Sequence, residues 1–271
     1  SGYTPTGDFT KEGEVVALKD FPAIKTALWI GTLNNDSQLE LAGEQGGQDT
    51  YRMIGDPTEG AILVAALKAG ASAKALNQAY PREQEIPFDS VRKRMVTIHS
   101  VQEPDEDDLS PLSGTKEERE WHIVAVKGAP DVVNLCSHIQ TLNNGDQKMT
   151  EERKQQVLDA NDAMTGDALR VLGVAYRCLP VLPEEIDSDE LEKDLTFVGL
   201  IGMIDPARSE VKDALNTARD AGIRTIMITG DYPNTARAIA EEIGLLRPGR
   251  KVMTGADLND LSDDEMLENV Q

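Results

Sequence analysis

Apolar residues at helical spacing give the stretch "GDPTEGAILVAALKAG" one buried face, formed by Ile62, Ala65, Ala66 and Ala69. Asp56 is suited to cap the start of this helix, with Pro57 in the first helical position. Glu59 is predicted to complete a capping box, and Gly70 to end the helix. Upstream, residues 1–48 are predicted to be irregular apart from one helical stretch, "PAIKTALWIGTL".

Two runs rich in β-branched residues follow, "EIPFDSVRKRMVTIHSV" and "EWHIVAVKGAPDVVNLC", separated by the acidic stretch "EPDEDDLSPLSGTKEERE". This pattern predicts an antiparallel pair of strands with a long charged connection, to which we assign no chemistry. A polar helix over residues 150–163 and a strand in "ALRVLGVAYRCL" are predicted next.

From Phe197 onward the pattern changes to strand, helix, strand, helix. The helix "SEVKDALNTARDAG" has one apolar face and ends at Gly222, and short apolar strands flank it. This arrangement predicts a βαβ unit with parallel strands and a right-handed crossover. The prediction is therefore a mixed α/β chain, with an antiparallel sheet flanked by helices followed by a partial βαβ unit, and a boundary at "DPAR", Asp205 to Arg208.

Charge and composition narrow the range of partners. The chain has 48 acidic and 27 basic residues, a formal charge of -21, which argues against nucleic acid or an anionic membrane surface as the main partner. A polyanion would need a local basic pocket. The two cysteines form no CxxC motif, and the three histidines have no metal-ligand spacing. No apolar run approaches the roughly 20 residues that span a bilayer. The chain opens with Ser1 and shows no signal-peptide pattern, so we expect a piece of a longer polypeptide.

Three short motifs carry candidate chemistry, and each also has a purely structural interpretation. In "TGD", Thr229 to Asp231, an apolar strand is followed by a predicted helix N-terminus that favours an anion, or the glycine simply makes a turn. In "VKGAP", Lys127 offers a cation beside a glycine that allows close approach, or it is a solvated lysine at a strand end. In "PFDSVRKRM", Phe88 lies near the densest basic cluster and suits a purine and its phosphates, or it belongs to the core.

Six motifs follow one another along the chain: GDPTEGA, PFDSVRKRM, VKGAP, DALRVL, DPAR and TGD. Their order closely resembles the cytoplasmic part of P-type cation-transporting ATPases, on the branch that includes the calcium pumps and the sodium pump. The resemblance covers nearly the whole chain, and it rests on the order of all six motifs rather than on any one. It implies a nucleotide-binding domain over residues 1–204 and part of a haloacid-dehalogenase-like phosphorylation domain over residues 205–271.

The resemblance also implies a binding site for ATP, which would bind as its complex with Mg²⁺. In this resemblance Phe88 stacks on adenine, Glu59 faces the adenine side of the pocket, and Lys127 and Gly128 line it. Arg170 reaches the phosphates. The resemblance also makes Met95 and Leu172 apolar lining and places Asp205 and Arg208 at the hinge between the domains. Thr229, Gly230 and Asp231 form the TGD loop.

One position departs from the family. Calcium pumps usually have an arginine two positions after the stacking phenylalanine, where this chain has Ser90. We assign the missing charge to Arg92. The family's phosphorylated aspartate lies in a DKTGT motif and its later carboxylates in GDGxND, and neither occurs in this sequence. We therefore expect no catalytic residue or metal site in this chain and no phosphorylation of its own.

The expected partners are ATP and the remainder of the same polypeptide: its transmembrane helices, its actuator domain and the rest of its phosphorylation domain. This would make the chain a cytoplasmic domain of an integral membrane protein. Two other function classes stay open. A free-standing phosphatase of the haloacid-dehalogenase superfamily would need its own DxDx[TV] strand, and none is visible. A non-catalytic acidic interaction module would bind no ATP.

Overall fold

The computed structural model describes residues 3–45, 48–102, 104, 108–112, 121–141, 145–167, 169–183, 186–204, 209–229, 233–247, 252–259 and 261–262. Contacts divide the chain into two units. The first comprises residues 1–159 and 171–201, and the second residues 160–170 and 202–271.

The strands of the chain are, in order, β1 (Thr10–Lys11), β2 (Glu14–Val15), β3 (Gln38–Gln45), β4 (Gln48–Ile54), β5 (Arg82–Asp89), β6 (Arg94–Ser100), β7 (His122–Gly128), β8 (Cys136–Gln140), β9 (Asp146–Lys148), β10 (Arg170–Leu179) and β11 (Leu195–Met203). Seven of them form one sheet in the order β5-β6-β7-β10-β11-β8-β9. The pairs β5–β6, β6–β7, β7–β10 and β8–β9 are antiparallel, and β11 runs parallel to β8. The predicted antiparallel sheet is confirmed, with one parallel pair that the pattern did not indicate.

The helices are α1 (Pro22–Leu33), α2 (Pro57–Lys68), α3 (Ala73–Ala79), α4 (Glu151–Gly166), α5 (Ser188–Leu191), α6 (Ser209–Asp220), α7 (Pro233–Glu242) and α8 (Gly255–Asn259), with 3-10 turns at Leu18–Asp20 and Pro130–Leu135. Because side chains alternate along a strand, β7 supplies both cores of the first unit. Ile123 and Ala125 pack with residues of α1, α2 and α3, whereas Val124 and Val126 pack with residues of α4 and α5. The large sheet is thus covered on both faces.

Helix α2 begins and ends where the local sequence predicts. The Asp56 side chain accepts from the Thr58 N–H at 2.7 Å, which satisfies a free donor of the first turn. At the other end Gly70 has a φ of 88°, a conformation that costs glycine little. Two backbone bonds then close the helix, from the Gly70 N–H to Leu67 and from the Ala71 N–H to Ala66.

Two sequence predictions in this region are wrong. The predicted turn-rich loop before residue 50 is a hairpin of β3 and β4, with Leu39 opposite Met53. Its strands are polar, contain glycine and lack the β-branched pattern. Among the described residues they pair with each other in a separate two-stranded sheet. The run that begins at "EIPFDS" is not one strand but two, β5 and β6, because Asp89 starts a turn there. Its Oδ1 accepts from the N–H groups of Val91 and Arg92.

From residue 209 onward the described elements are helical. Helix α6 is formed as predicted, and Gly222, with a φ of 74°, follows its end. Residues 223–229 carry no strand pairing within the described part of the chain, so the second strand of the predicted βαβ unit is not formed there. Ile226 and Ile228 are 61% and 93% exposed. A strand needs a neighbour to satisfy its backbone groups, and the described residues provide none here.

His99 makes the stability of the fold depend on pH. Its ring is buried, with Nδ1 2.9 Å from the Tyr80 carbonyl and Nε2 2.9 Å from Thr97 Oγ1. A carbonyl can only accept, so Nδ1 carries the proton and Nε2 accepts from the threonine hydroxyl. Burial lowers the pKa of His99 to about 4.

We therefore predict that His99 lowers the free energy of unfolding as the pH falls from 6.5 towards 4. In that window the unfolded chain binds a proton that the folded chain excludes. The loss between pH 7 and pH 5 attributable to this ring is about 2 kcal/mol. Urea unfolding at both pH values, followed by tryptophan fluorescence, measures it. The His99→Gln variant should lack this share of the pH dependence, and identical slopes in both proteins would contradict the prediction.

Candidate functional site

Lys127 is the penultimate residue of β7, and its ammonium group is held inside the first unit. Only 7% of the side chain is exposed. Nζ donates to the main-chain carbonyl of Asn34 and, at 2.7 Å, to Glu59 Oε1. Burial lowers the pKa of Lys127, and the Glu59 carboxylate opposes this shift. An ammonium has three N–H groups, and the third has no partner among the described residues, so it can donate to a ligand.

Glu59 joins this lysine to the segment after α1. Its Oε1 accepts from Lys127, while its Oε2 accepts from the Asp36 N–H at 2.9 Å and from Ser37 Oγ at 3.3 Å. Both carboxylate oxygens are thus used by residues outside α2. The predicted capping box is therefore wrong, because the nearby cation and the free N–H compete more strongly for the carboxylate. Asp56 alone of the two acids caps the helix.

Asn34, which sequence reasoning missed, fixes the position of the Lys127 acceptor. It is fully buried at the end of α1. Its Nδ2 donates to the carbonyls of Met95, at 3.0 Å, and Ala125, at 2.8 Å, on the neighbouring strands β6 and β7. The residue follows an apolar helix in the polar run "NNDS", which by itself is typical of an ordinary loop. No local signal pointed to Lys127, which lies 93 residues away.

The sheet register brings further predicted residues to the face that holds Lys127. Met95 is directly opposite Lys127 on β6, and Val174 is opposite it on β10. Leu172 lies two residues before Val174 and therefore on the same face. Met95, Lys127 and Leu172 thus lie on one face of the sheet, where Glu59 pairs with Lys127.

Phe88 lies one strand further, near the end of β5. The pairing of β5 with β6 shifts between Ile86 and Asp89, so Phe88 falls in the irregular stretch opposite Met95. The residue is 63% exposed. The interpretation of Phe88 as a core residue is therefore wrong. An exposed aromatic ring of this size has little to gain from water, so its face is available for stacking.

Gly128 is required by the close approach of β6. A Cβ on this residue would lie 2.4 Å from Arg94 Cβ and 2.5 Å from the Lys93 carbonyl. The turn before β6 causes the approach, since Lys93 has a φ of 54° and its carbonyl accepts from the Ala129 N–H. The described geometry thus gives Gly128 a packing role, and a role toward a ligand stays a prediction.

Arg92 does not point freely into solvent. Its Nη2 donates to Glu192 Oε1, and Arg94 holds the other carboxylate oxygen, Oε2, through Nε at 2.9 Å and Nη2 at 2.5 Å. The Glu192 side chain is only 4% exposed. The hydrogen bond to Glu192 raises the pKa of the Arg94 guanidinium. Arg92 as a ligand for nucleotide remains a prediction.

The other predicted residues are not placed in this arrangement. Arg170, the first residue of β10, and Thr229 are exposed and belong to the second unit. Asp205, Arg208, Gly230 and Asp231 lie outside the described residues. The hinge and the TGD loop therefore stay predictions.

A shallow depression of about 340 Å³ lies beside this cluster, lined by residues 35–38, Asn77, Pro81 and Arg82. Arg82 closes one side through its ion pair with Asp36, at 2.7 Å. None of the predicted site residues lines it. Within the described part of the chain there is no group of three or more metal ligands, and no helix is long and apolar enough to cross a membrane. Burial raises the pKa of both cysteine thiols to about 12, so both are unreactive thiols at neutral pH.

Comparison with known proteins decides the family. The family described as P-type ATPase, cytoplasmic domain N, matches residues 23–210. The chain belongs to this family. The match starts in α1 and includes the whole seven-stranded sheet with the lysine, glutamate and phenylalanine described above.

Relatives of the chain carry names from this family. It is 37% identical over 272 residues to a calcium-transporting ATPase of Bacillus subtilis (strain 168), covering 100% of this chain and 28% of the relative. It is 40% identical over 245 residues to calcium-transporting ATPase 1 of Bacillus cereus (strain ATCC 10987 / NRS 248), covering 88% and 25%. It is 38% identical over 240 residues to calcium-transporting ATPase 1 of Lactococcus lactis subsp. lactis (strain IL1403), covering 88% and 24%. The chain thus spans about a quarter of the length of these P-type ATPases.

Proposed function

We propose that the first unit binds ATP, as its complex with Mg²⁺, for a P-type cation-transporting ATPase. One observation carries the proposal: a buried lysine, with one N–H that has no partner among the described residues, lies two strands from an exposed phenylalanine, on a chain of the N-domain family. A flat aromatic surface suits a purine, and a desolvated cation suits a polar or anionic group of the same ligand.

The physical chemistry of the site agrees with a nucleotide despite the charge of -21 on the chain. Exposed carboxylates further away than about 8 Å are largely screened at physiological salt. Contacts inside a partly desolvated site are screened much less. The local sign of charge around Lys127 and Arg92 therefore matters more than the net charge.

In the whole protein, we propose, ATP phosphorylates an aspartate of the DKTGT motif, and the rearrangement that follows drives a cation across a membrane. By the names of the relatives, calcium is the first cation to test. The residues described here contribute binding and orientation of the nucleotide. This sequence contains neither DKTGT nor GDGxND, so we propose that the chain alone forms no aspartyl phosphate. Labelled MgATP and acid-quench electrophoresis test this.

The test of the proposed function is a calorimetric titration of the chain with ATP and with MgATP, repeated with Phe88→Ala. We expect saturable binding with a Kd between micromolar and millimolar, roughly -8 to -4 kcal/mol. Loss of the ring should weaken it at least about fivefold, because stacking of a base on an aromatic ring contributes about 1–3 kcal/mol.

A matched control removes exposed apolar surface elsewhere. Val181 is 74% exposed, and Val181→Ala should bind ATP as the wild type does. If the folded wild type binds no nucleotide, the proposed function fails and the acidic interaction module becomes the better hypothesis. Equal weakening in both variants would instead show that Phe88 has no specific role.

A further inference from the structure

The ion pair of Glu192 with two arginines lies at the turn that follows Phe88. Residues 90–93 form this turn between β5 and β6, and the carboxylate reaches it from the end of α5, about a hundred residues later in the chain. The Glu192 side chain is 4% exposed, whereas those of Arg92 and Arg94 are 21% and 20% exposed. A carboxylate buried this deeply must keep at least one cation.

The two arginines hold this carboxylate unequally. Arg94 makes two bonds to Oε2, through Nε and Nη2, and its Nη1 donates to the Arg92 carbonyl at 2.9 Å. Arg92 makes one bond, through Nη2, and its buried Nε has no partner among the described residues. Two further acids, Asp131 and Asp189, also favour the charged form of Arg94.

This asymmetry determines which arginine can leave. If Arg92 swings away, Glu192 keeps both bonds from Arg94, and no buried charge is left alone. If Arg94 left, one bond from Arg92 would have to compensate the carboxylate. Arg92 also gains by leaving, because its unpartnered Nε can then find an acceptor. Carboxylate and phosphate accept from a guanidinium in the same planar geometry, so one can replace the other.

We propose that Arg92 is an exchangeable arginine, held by Glu192 in the absence of ligand and released to the phosphate oxygens of a bound nucleotide while Arg94 keeps Glu192 neutralised. This inference rests on the proposed function and deepens it. Glu192 thereby sets how strongly the site binds the polyphosphate part of a ligand relative to the nucleoside part. It lowers the affinity for the polyphosphate part of the ligand and leaves the affinity for the nucleoside part unchanged.

The test compares three ligands, ATP, adenosine and inorganic tripolyphosphate, by calorimetric titration of the wild type and of Glu192→Gln. The glutamine keeps the shape of the side chain and removes its charge. We expect ATP and tripolyphosphate to bind about five- to tenfold more tightly to this variant, and adenosine to bind within about twofold of the wild type. Unchanged or weaker binding of tripolyphosphate would overturn the proposal.

The second test is a double-mutant cycle that combines Arg94→Gln with Glu192→Gln. In the wild-type background Arg92 becomes the last partner of a buried carboxylate, so ATP and tripolyphosphate should bind about fivefold more weakly. In the Glu192→Gln background the same substitution should have little effect, because no charge remains to be compensated. Equal effects in both backgrounds would contradict the exchange.

A measurement on the wild type covers the case in which a variant fails to fold. The Arg92 Nε–H resonance should shift on addition of tripolyphosphate, and that of Arg94 should not. Similar shifts of both would overturn the proposal.

If ATP binds but the charge of Glu192 has no effect, the exchange fails and the proposed function stands. If ATP does not bind, the proposed function fails, and the exchange of Arg92 toward a nucleotide fails with it, whether or not tripolyphosphate binds.

Discussion

Replacing Lys127 by methionine is expected to lower the free energy of unfolding by about 3–5 kcal/mol and to weaken ATP binding at least about tenfold. The methionine fills a similar volume but leaves Glu59 Oε1 and the Asn34 carbonyl without their donor. The Glu59 side chain is only 17% exposed, so water replaces the lost cation poorly. Removing one partner of a buried ion pair therefore costs far more than the pair contributes to stability.

Two matched variants separate the charge from the packing. Lys127→Met with Glu59→Gln removes both charges and should recover a large part of the lost stability without restoring ATP binding. Lys193→Met removes an exposed lysine that also pairs with a glutamate, Glu190, and should change neither quantity measurably. Urea unfolding followed by fluorescence reports on the first unit, since Trp29 and Trp121 both belong to it. A Lys127→Met variant as stable as Lys193→Met would contradict the prediction.

The sequence predicts best those elements whose signals are local. Apolar residues at helical spacing place both α1 and α2 correctly, and α2 also has a capping aspartate and a terminal glycine within a few residues. The β3–β4 hairpin is not predictable in this way, because its strands are polar and, in the part of the chain that the structure describes, pair with each other and not with the large sheet. The expected strand at residues 223–229 was apolar enough, but strand formation also needs a neighbour, which an apolar pattern cannot supply.

The residues of the candidate site also differ in how far the sequence predicts them. The family resemblance named Phe88 and Lys127, and the sheet register then brings them within two strands of each other. Their partners were not predictable, because Asn34 and Lys127 are 93 residues apart and Arg92 and Glu192 are 100 apart. Glu59 shows how a local rule misleads. The spacing matches a capping box, yet a lysine 68 residues later takes the carboxylate.

Replacing Trp29 by alanine is expected to lower the free energy of unfolding by about 3–5 kcal/mol, out of a total of about 5–15 kcal/mol typical of domains. The indole is completely buried on α1 and meets the rings of Tyr80 and Tyr176 edge-on, at centroid distances of 5.2 and 5.9 Å. Alanine leaves a cavity that the seven-stranded sheet beneath cannot close. Urea unfolding followed by far-UV circular dichroism measures the loss.

Trp29→Phe is the control, because Nε1 has no hydrogen-bond partner within the described part of the chain. The phenylalanine thus keeps an aromatic ring and sacrifices no bond, and it should cost clearly less than the alanine. The two variants should also differ in ATP affinity. Helix α1 ends at Leu33, and the carbonyl of the next residue, Asn34, holds Lys127, so loosening the helix moves the acceptor away from the ammonium. Weakened binding in Trp29→Ala, with binding kept in Trp29→Phe, would link the packing of this helix to the lysine. Equal stability of the two variants would show that the sheet tolerates the cavity.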